Sequence, residues 1–156
     1  GCVPDPWGST NFMPPTFFPE RDLFILTARE TCATYVPEEP TDATGKSNFG
    51  GTVLIDAEQG RGALRALDIH TGNLVWEFSY PSPTFGGVLS TASGLVFAGD
   101  HEGNFMAFSA DDGNNLWHYQ TCSRSWGAAA MTFMLENRQL VLIPSGTTLT
   151  AFGLPE

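Results

Sequence analysis

The densest group of metal-binding residue types in this sequence is Asp100, His101 and Glu102, which Gly103 and Asn104 follow. Carboxylate oxygens and imidazole nitrogens are ligands for divalent metals, so the group is a candidate metal site. Its spacing does not match the calcium-loop pattern Asp-x-Asp-x-Asp-Gly. We therefore predict a turn at this position and assign no metal ligand in the chain.

The other residues that could do chemistry are dispersed. The three histidines, His70, His101 and His118, are far apart and are most simply surface residues. No Ser/His/Asp or Cys/His order and no Gly-rich phosphate loop can be argued, so we assign no catalytic residue. The cysteines leave two interpretations open: all three are small buried side chains, or Cys2 and Cys32 form a disulfide and Cys122 stays single.

The elements that must position any site follow an internal repeat. Residues 62–76 return in degenerate form 41 positions later, at 103–117. The residues that recur as Gly103, Ala107, Gly113, Asn114 and Trp117 are Gly62, Ala66, Gly72, Asn73 and Trp76. Similarity at a period near 40 that ends in tryptophan is typical of a β-propeller blade, so we predict an all-β fold.

Each repeat is predicted to be a hairpin. Gly72 can take the positive φ that the turn needs, and Asp68 can accept backbone N–H groups within it. Trp76 is too large to be buried within one thin sheet, so we expect it to pack against the neighbouring blade, with small Ala66 leaving room. A third copy begins at residue 148 and stops before its turn and tryptophan.

These signals predict about three four-stranded blades, the last one incomplete. The first blade covers residues 14–80, with a surface insertion at 37–52. The second covers residues 88–121, and the third covers residues 130–153. Within the first blade, residues 22–30 and 31–36 are predicted as two consecutive strands. Arg29 and Glu30 interrupt the apolar run and are predicted to form an ion pair at a strand end.

The repeat also carries a family resemblance. Its pattern Ala-x-Asp-x-x-Thr-Gly-x-x-x-Trp resembles the tryptophan-docking repeat of pyrroloquinoline quinone (PQQ) enzymes, although the second copy has Ser109 and Asp112 where the pattern has Asp and Thr. Nearly all of the chain resembles the C-terminal third of a PQQ-dependent alcohol dehydrogenase of the methanol/ethanol type, which implies part of an eight-bladed propeller.

The resemblance implies four cofactor-binding residues. Asn11 matches the family's quinone-contacting Asn before a Pro-Pro pair; alternatively, it holds a turn through backbone bonds. Phe85 stands near the cofactor, at a position where the family usually has Trp; alternatively, its ring fills space in the propeller core. Trp126 and Gly127 match the last cofactor-facing segment, and Trp126 lies outside the docking position of the repeat.

The implied function is oxidation of a primary alcohol by hydride transfer to PQQ, with Ca²⁺ as a Lewis acid. In the family, the base and the calcium ligands come from the N-terminal part, so this chain would form one wall of the cofactor site and be inactive alone. The expected partners are the N-terminal blades, a small alcohol and an electron acceptor such as cytochrome c. The expected location is periplasmic or secreted.

A rival interpretation is a non-catalytic propeller of PQQ-like repeats that serves as a protein-binding scaffold. Convergence of Asn11, Phe85 and Trp126 on the propeller axis would favour the enzyme, and scattered placement would favour the scaffold. The net charge of −10 and the pI near 4.5 argue against nucleic acid as a partner. No apolar window of about 18 residues exists that could span a membrane.

Overall fold

The computed structural model describes residues 3–38 and 50–154, and these residues form three antiparallel sheets. The first sheet has the order β1-β2-β3-β4 and consists of Thr16–Phe18, Leu23–Pro37, Gly51–Asp68 and Leu74–Tyr80. The second has the order β5-β6-β7-β8 and consists of Val88–Ser90, Leu95–Gly99, Asn104–Ser109 and Asn115–Gln120. The third has the order β11-β10-β9, in which β9 is Met131–Leu135, β10 is Arg138–Ser145 and β11 is Thr148–Gly153.

The prediction of an all-β fold is confirmed. A short 3₁₀ turn, Pro19–Arg21, joins β1 to β2. Residues 3–38 and 50–154 contain no helix that is long and apolar enough to cross a membrane.

The two inner strands of the second sheet, β6 and β7, are buried on both faces, so this sheet lies between the other two. Side chains alternate across a strand, and successive residues of β6 and β7 therefore point to opposite sides. Val96, Met106 and Phe108 belong to the core that the second sheet shares with the first. Phe97 and Phe105 belong to the core that it shares with the third. The three sheets are therefore stacked face to face.

The first sheet differs from the prediction in one strand. β2 is a single strand of 15 residues, where we predicted two. Its pairing with β3 shifts register between Glu30 and Cys32. The partners of Glu30 and Cys32 are Arg61 and Asp56, so β3 takes five steps where β2 takes two and the irregularity lies on β3. β2 continues through this position, and its own apolar pattern does not show that.

The predicted ion pair between Arg29 and Glu30 is wrong. Glu30 lies on the exposed face of the sheet and pairs with Arg65 at 2.6 Å. Arg29 points to the other face, where it is buried and pairs with Asp5 at 2.8 Å. Adjacent strand residues face opposite sides, so neighbours in sequence cannot share one ion pair here.

The cysteines follow the second interpretation for the residues that the structure describes. Cys32 is disulfide-bonded, and Cys122 is free and exposed. The predicted partner of Cys32, Cys2, lies outside the described residues.

The hairpin turns of the two repeats have the same geometry. Gly72 and Gly113 have φ of 71° and 72°. The Asp68 carboxylate accepts the N–H groups of His70 and Thr71 at 3.0 and 2.7 Å, as predicted, and also the Thr71 hydroxyl at 2.8 Å. These bonds, led by that of the Thr71 side chain, hold the pKa of Asp68 below its ordinary value of 3.8.

The second turn exchanges the acid and the hydroxyl. Asp112 stands at the Thr71 position and Ser109 at the Asp68 position. The Asn114 N–H, followed by the Ser109 hydroxyl, lowers the pKa of Asp112. The two departures from the sequence pattern therefore compensate for each other, because one carboxylate and one hydroxyl are kept in each turn.

The Asp68→Asn variant is expected to lower stability in a pH-dependent way. The amide keeps an acceptor of similar shape but loses the charge that the turn stabilises. The pKa of Asp68 in the folded protein lies below its ordinary value. The parent's extra free energy of unfolding, relative to the variant, is therefore complete at pH values above the ordinary pKa, and it is lost as the pH falls through the folded pKa. Urea midpoints of both proteins from about pH 6 to about pH 3 would measure the advantage. A difference that stays constant over this range would contradict the argument.

Trp76 joins the first sheet to the second, as the repeat predicts. Its side chain is 7% exposed, and its Nε1 donates a hydrogen bond to the Ala110 carbonyl at 2.9 Å. A Cβ atom at Gly113 would lie 2.5 Å from Trp76 Cε3, so the indole rests directly against the backbone of the second turn. Opposite Trp76 on the neighbouring strand is Ala66.

Trp117 contacts the third sheet less completely. It pairs with Ala107 in the register that Trp76 has with Ala66. Its ring meets Phe152 of β11 edge to face at 5.2 Å between centroids, but it remains 40% exposed. It lines an apolar cleft of about 520 Å³ between the second and third sheets.

Candidate functional site

Three connecting segments meet at one end of the stacked sheets. Each of them leads into the first strand of a sheet: residues 3–15 into β1, residues 81–87 into β5, and residues 121–130 into β9. The Val88 N–H donates to the Pro14 carbonyl at 2.9 Å, and the Gly87 N–H donates to the Ala128 carbonyl at 2.9 Å. All three segments are thus tied together by backbone bonds, which fixes their side chains relative to one another.

An aromatic cluster, consisting of Trp7, Phe12, Phe85 and Trp126, lies where these segments meet. Phe85 is at its centre and is 5% exposed. The centroid of its ring is 4.3 Å from that of Trp126 and 5.9 Å from that of Phe12, which is nearly parallel to it at 7°. Trp7 meets it edge to face at 5.8 Å. The three outer rings are each more than 40% exposed, so the cluster presents aromatic surface to solvent.

Three of the four predicted site residues are brought together here. Phe85 and Trp126 form a parallel β-bridge, and the Gly127 N–H donates to the Phe85 carbonyl at 3.0 Å. Gly127 has φ of 64°, and a Cβ atom there would lie 3.0 Å from the Phe12 ring. Glycine at this position therefore allows both the backbone conformation and the close approach of Phe12.

Asn11, the fourth predicted residue, is exposed next to the cluster. Its Nδ2 donates to the Trp7 carbonyl at 3.1 Å, so the side chain stabilises the loop that carries Trp7. This bond corresponds to the alternative interpretation of Asn11 as a residue that holds a turn. Contact of Asn11, Phe85, Trp126 or Gly127 with a cofactor stays a prediction.

Sequence reasoning missed a buried ion pair beneath the cluster. Arg29 and Asp5 have side chains only 5% and 1% exposed, and the carbon at the centre of the guanidinium lies 3.7 Å from the Phe85 ring centroid. The sequence does carry a signal for a buried charge, because Arg29 lies inside the apolar run of β2. Its partner could not be found, because Asp5 lies 24 positions earlier in an irregular segment.

A second guanidinium lies on the solvent side of the cluster. Arg124 is exposed, and its central guanidinium carbon lies 4.5 Å from the centroid of the Trp126 ring. The chain has only seven Lys and Arg residues against seventeen carboxylates, so a cation beside exposed rings is a local exception to its acidic character. Flat aromatic faces with an adjacent guanidinium fit a planar anion, such as a quinone that carries carboxylates.

In the part of the chain that the structure describes, His, Cys, Asp and Glu side chains do not form a metal site at this cluster. Across residues 3–38 and 50–154, no group of three or more His, Cys, Asp and Glu residues could hold a metal ion. The Asp100 carboxylate accepts the Asn104 N–H and its Nδ2, both at 2.7 Å. It therefore stabilises a turn, as predicted.

The chain matches known proteins over most of its length. The PQQ_2 family, described as outer membrane protein assembly factor BamB, matches residues 36–153. The quinohemoprotein alcohol dehydrogenase ADH IIB of Pseudomonas putida is 35% identical over 148 residues, which are 92% of this chain and 21% of that protein. The lanthanide-dependent methanol dehydrogenase of Methylacidiphilum fumariolicum is 29% identical over 94% of this chain and 25% of that protein.

Solved structures agree with these relatives. The quinohemoprotein alcohol dehydrogenase ADHIIG from Pseudomonas putida HK5 superposes with a TM-score of 0.84 at 28% identity, over 94% of this chain and 23% of that one. The chain thus spans about a fifth to a quarter of the length of the relatives that it matches. It belongs to the PQQ_2 family, forms part of a β-propeller, and is related over most of its length to quinoprotein and quinohemoprotein alcohol dehydrogenases.

Proposed function

We propose that this chain forms one wall of the PQQ site in a dehydrogenase that oxidises a primary alcohol. The observation that carries the proposal is the exposed aromatic cluster with Arg124 beside it, at the end of the sheets where three connecting segments meet. The similarity to alcohol dehydrogenases over 92% of the chain supports the reaction class.

In this proposal the chain's residues bind and orient the cofactor. Trp126 is 49% exposed and contributes aromatic surface to the cofactor. The exposed backbone of Gly127 lies beside it. Phe85 lies under Trp126 and supports it from within, while Asn11 stabilises the loop of Trp7. Arg124 supplies positive charge for a carboxylate.

Bound PQQ would supply the chemistry of hydride acceptance. We place the catalytic base and the Ca²⁺ ligands in other parts of the full enzyme, together with the contacts to an electron acceptor such as cytochrome c. We also propose a periplasmic or secreted location, which the disulfide at Cys32 supports because disulfides persist in oxidising compartments.

Calorimetric titration with PQQ tests the proposal in the longest natural polypeptide that contains this chain. The Trp126→Leu variant is expected to bind PQQ about tenfold more weakly, since it loses a stacking face. Trp117→Leu is the matched control, because Trp117 has similar exposure but lines a cleft between sheets rather than the cluster.

Equal losses in the two variants would contradict the proposed site. Absence of PQQ binding by the parent protein would contradict the proposed function and favour the scaffold. That alternative has its own support, because the description of the matched family is that of an assembly factor.

A further inference from the structure

We propose that Arg29 is a positioning residue for the aromatic cluster: held by Asp5, its guanidinium fixes the Phe85 ring, and Phe85 in turn fixes Trp126. The role of the cluster in cofactor binding rests on the proposed function. The positioning itself concerns residues of this chain alone, so it can be tested separately.

Arg29 is oriented from two sides. One Nη donates to Asp5 Oδ2 at 2.8 Å, and the guanidinium lies over the Phe85 ring at 3.7 Å from its centroid. A planar guanidinium stacks on an aromatic face better than a compact ammonium group does. Since Phe85 is also enclosed by the rings of Trp126 and Phe12, the stack leaves it one position in the cluster.

The ion pair also ties the entry segment to the sheet. Asp5 Oδ1 accepts the Trp7 N–H at 2.9 Å, and the Asp5 N–H donates to the Thr31 carbonyl at 3.1 Å. The Arg29 N–H donates to the Ser9 carbonyl at 2.6 Å. A single buried pair therefore sets the position of Trp7 from one side and of Phe85 from the other.

Stability alone is a poor explanation for this arrangement. Burying two charges costs desolvation energy, and apolar pairs of similar volume are often equally stable or more so. Arg29 Nε adds to the cost, because it is buried without a hydrogen-bond partner among the residues that the structure describes. What an aliphatic pair could not supply is a planar group held over the Phe85 ring, 3.7 Å from its centroid. We therefore assign the pair a role in fixing geometry.

The test uses two variants of the longest natural polypeptide that contains this chain. Asp5→Asn/Arg29→Met removes both charges together and leaves no unpaired buried ion. Arg29→Lys keeps a charge for Asp5 but cannot stack as a plane. The control is Arg65→Met, which removes an arginine that forms ion pairs on the opposite, more exposed face of the same sheet.

Three measurements are made on each protein: the thermal unfolding midpoint, the near-ultraviolet circular dichroism without cofactor, and the dissociation constant for PQQ. We expect the double variant to unfold within a few degrees of the parent, to lose part of its aromatic circular dichroism, and to bind PQQ about tenfold more weakly. Arg29→Lys should show the same spectral and binding changes. Arg65→Met should show neither.

Two outcomes overturn the proposal. One is an unchanged spectrum and unchanged PQQ affinity in the double variant. The other is full rescue of both by lysine, which would mean that only the charge matters. If the parent itself binds no PQQ, the proposed function fails, and the spectrum still decides the inference: a change in Arg29→Lys that Arg65→Met lacks supports positioning, and no such change refutes it.

Discussion

Trp76→Ala is expected to destabilise the chain described here by about 3–5 kcal/mol, the range for truncating a buried large aromatic side chain. The indole fills the interface between the first and second sheets and donates a buried hydrogen bond to Ala110. Its removal leaves a cavity between sheets and an acceptor without its donor. Urea unfolding, followed by far-ultraviolet circular dichroism, measures the loss.

Trp117→Ala is the matched control, since both tryptophans occupy the same position of the repeat. Trp117 is 40% exposed, whereas Trp76 is 7% exposed. We therefore expect a loss of about 1–2 kcal/mol at Trp117, because less apolar surface leaves water there on folding. A loss at Trp117 as large as that at Trp76 would contradict the assignment of Trp76 as the main link between sheets.

Gly113→Ala is expected to cause the second largest loss of folding stability, after Trp76→Ala. Gly113 and Gly72 share a positive φ, so alanine at either site meets the same backbone strain of about 1–2 kcal/mol. At Gly113 the added methyl group would also lie 2.5 Å from Trp76 Cε3. Displacing a packed indole adds about 1–3 kcal/mol, the usual cost of overpacking.

Gly72→Ala isolates the strain, because nothing lies within 4 Å of the Cβ atom that it would add. The difference between the two glycine variants in urea unfolding therefore reports the contact with Trp76. Equal losses would mean that the indole does not rest on the second turn. A Trp76→Ala background should abolish most of the difference, since the clashing ring is then gone.

The repeat made the sheets and their junction predictable. Glycine at a turn and tryptophan at the end of the returning strand are local signals, and their recurrence after 41 residues places two similar hairpins side by side. The register shift between β2 and β3 at Glu30 and Cys32 has no such signal. Arg29 and Glu30 interrupt the apolar run, so the pattern predicts two strands where β2 is continuous.

The candidate site was only partly predictable, for a similar reason. Phe85, Trp126 and Gly127 lie in corresponding connectors of the repeat, so their convergence follows from the stacking of blades. Arg29 and Asp5 belong to no repeat, and a buried ion pair depends on which face of β2 the entry segment covers. No local pattern encodes that choice.

The most direct test of the account is a crystal structure, with PQQ bound, of the longest natural polypeptide that contains this chain. We expect the PQQ ring to lie within contact distance, about 4 Å, of the Trp126 side chain or the Gly127 backbone. PQQ bound elsewhere, with no atom of residues 11, 85, 126 or 127 within about twice that distance, would contradict the claim that these connectors form a wall of the cofactor site.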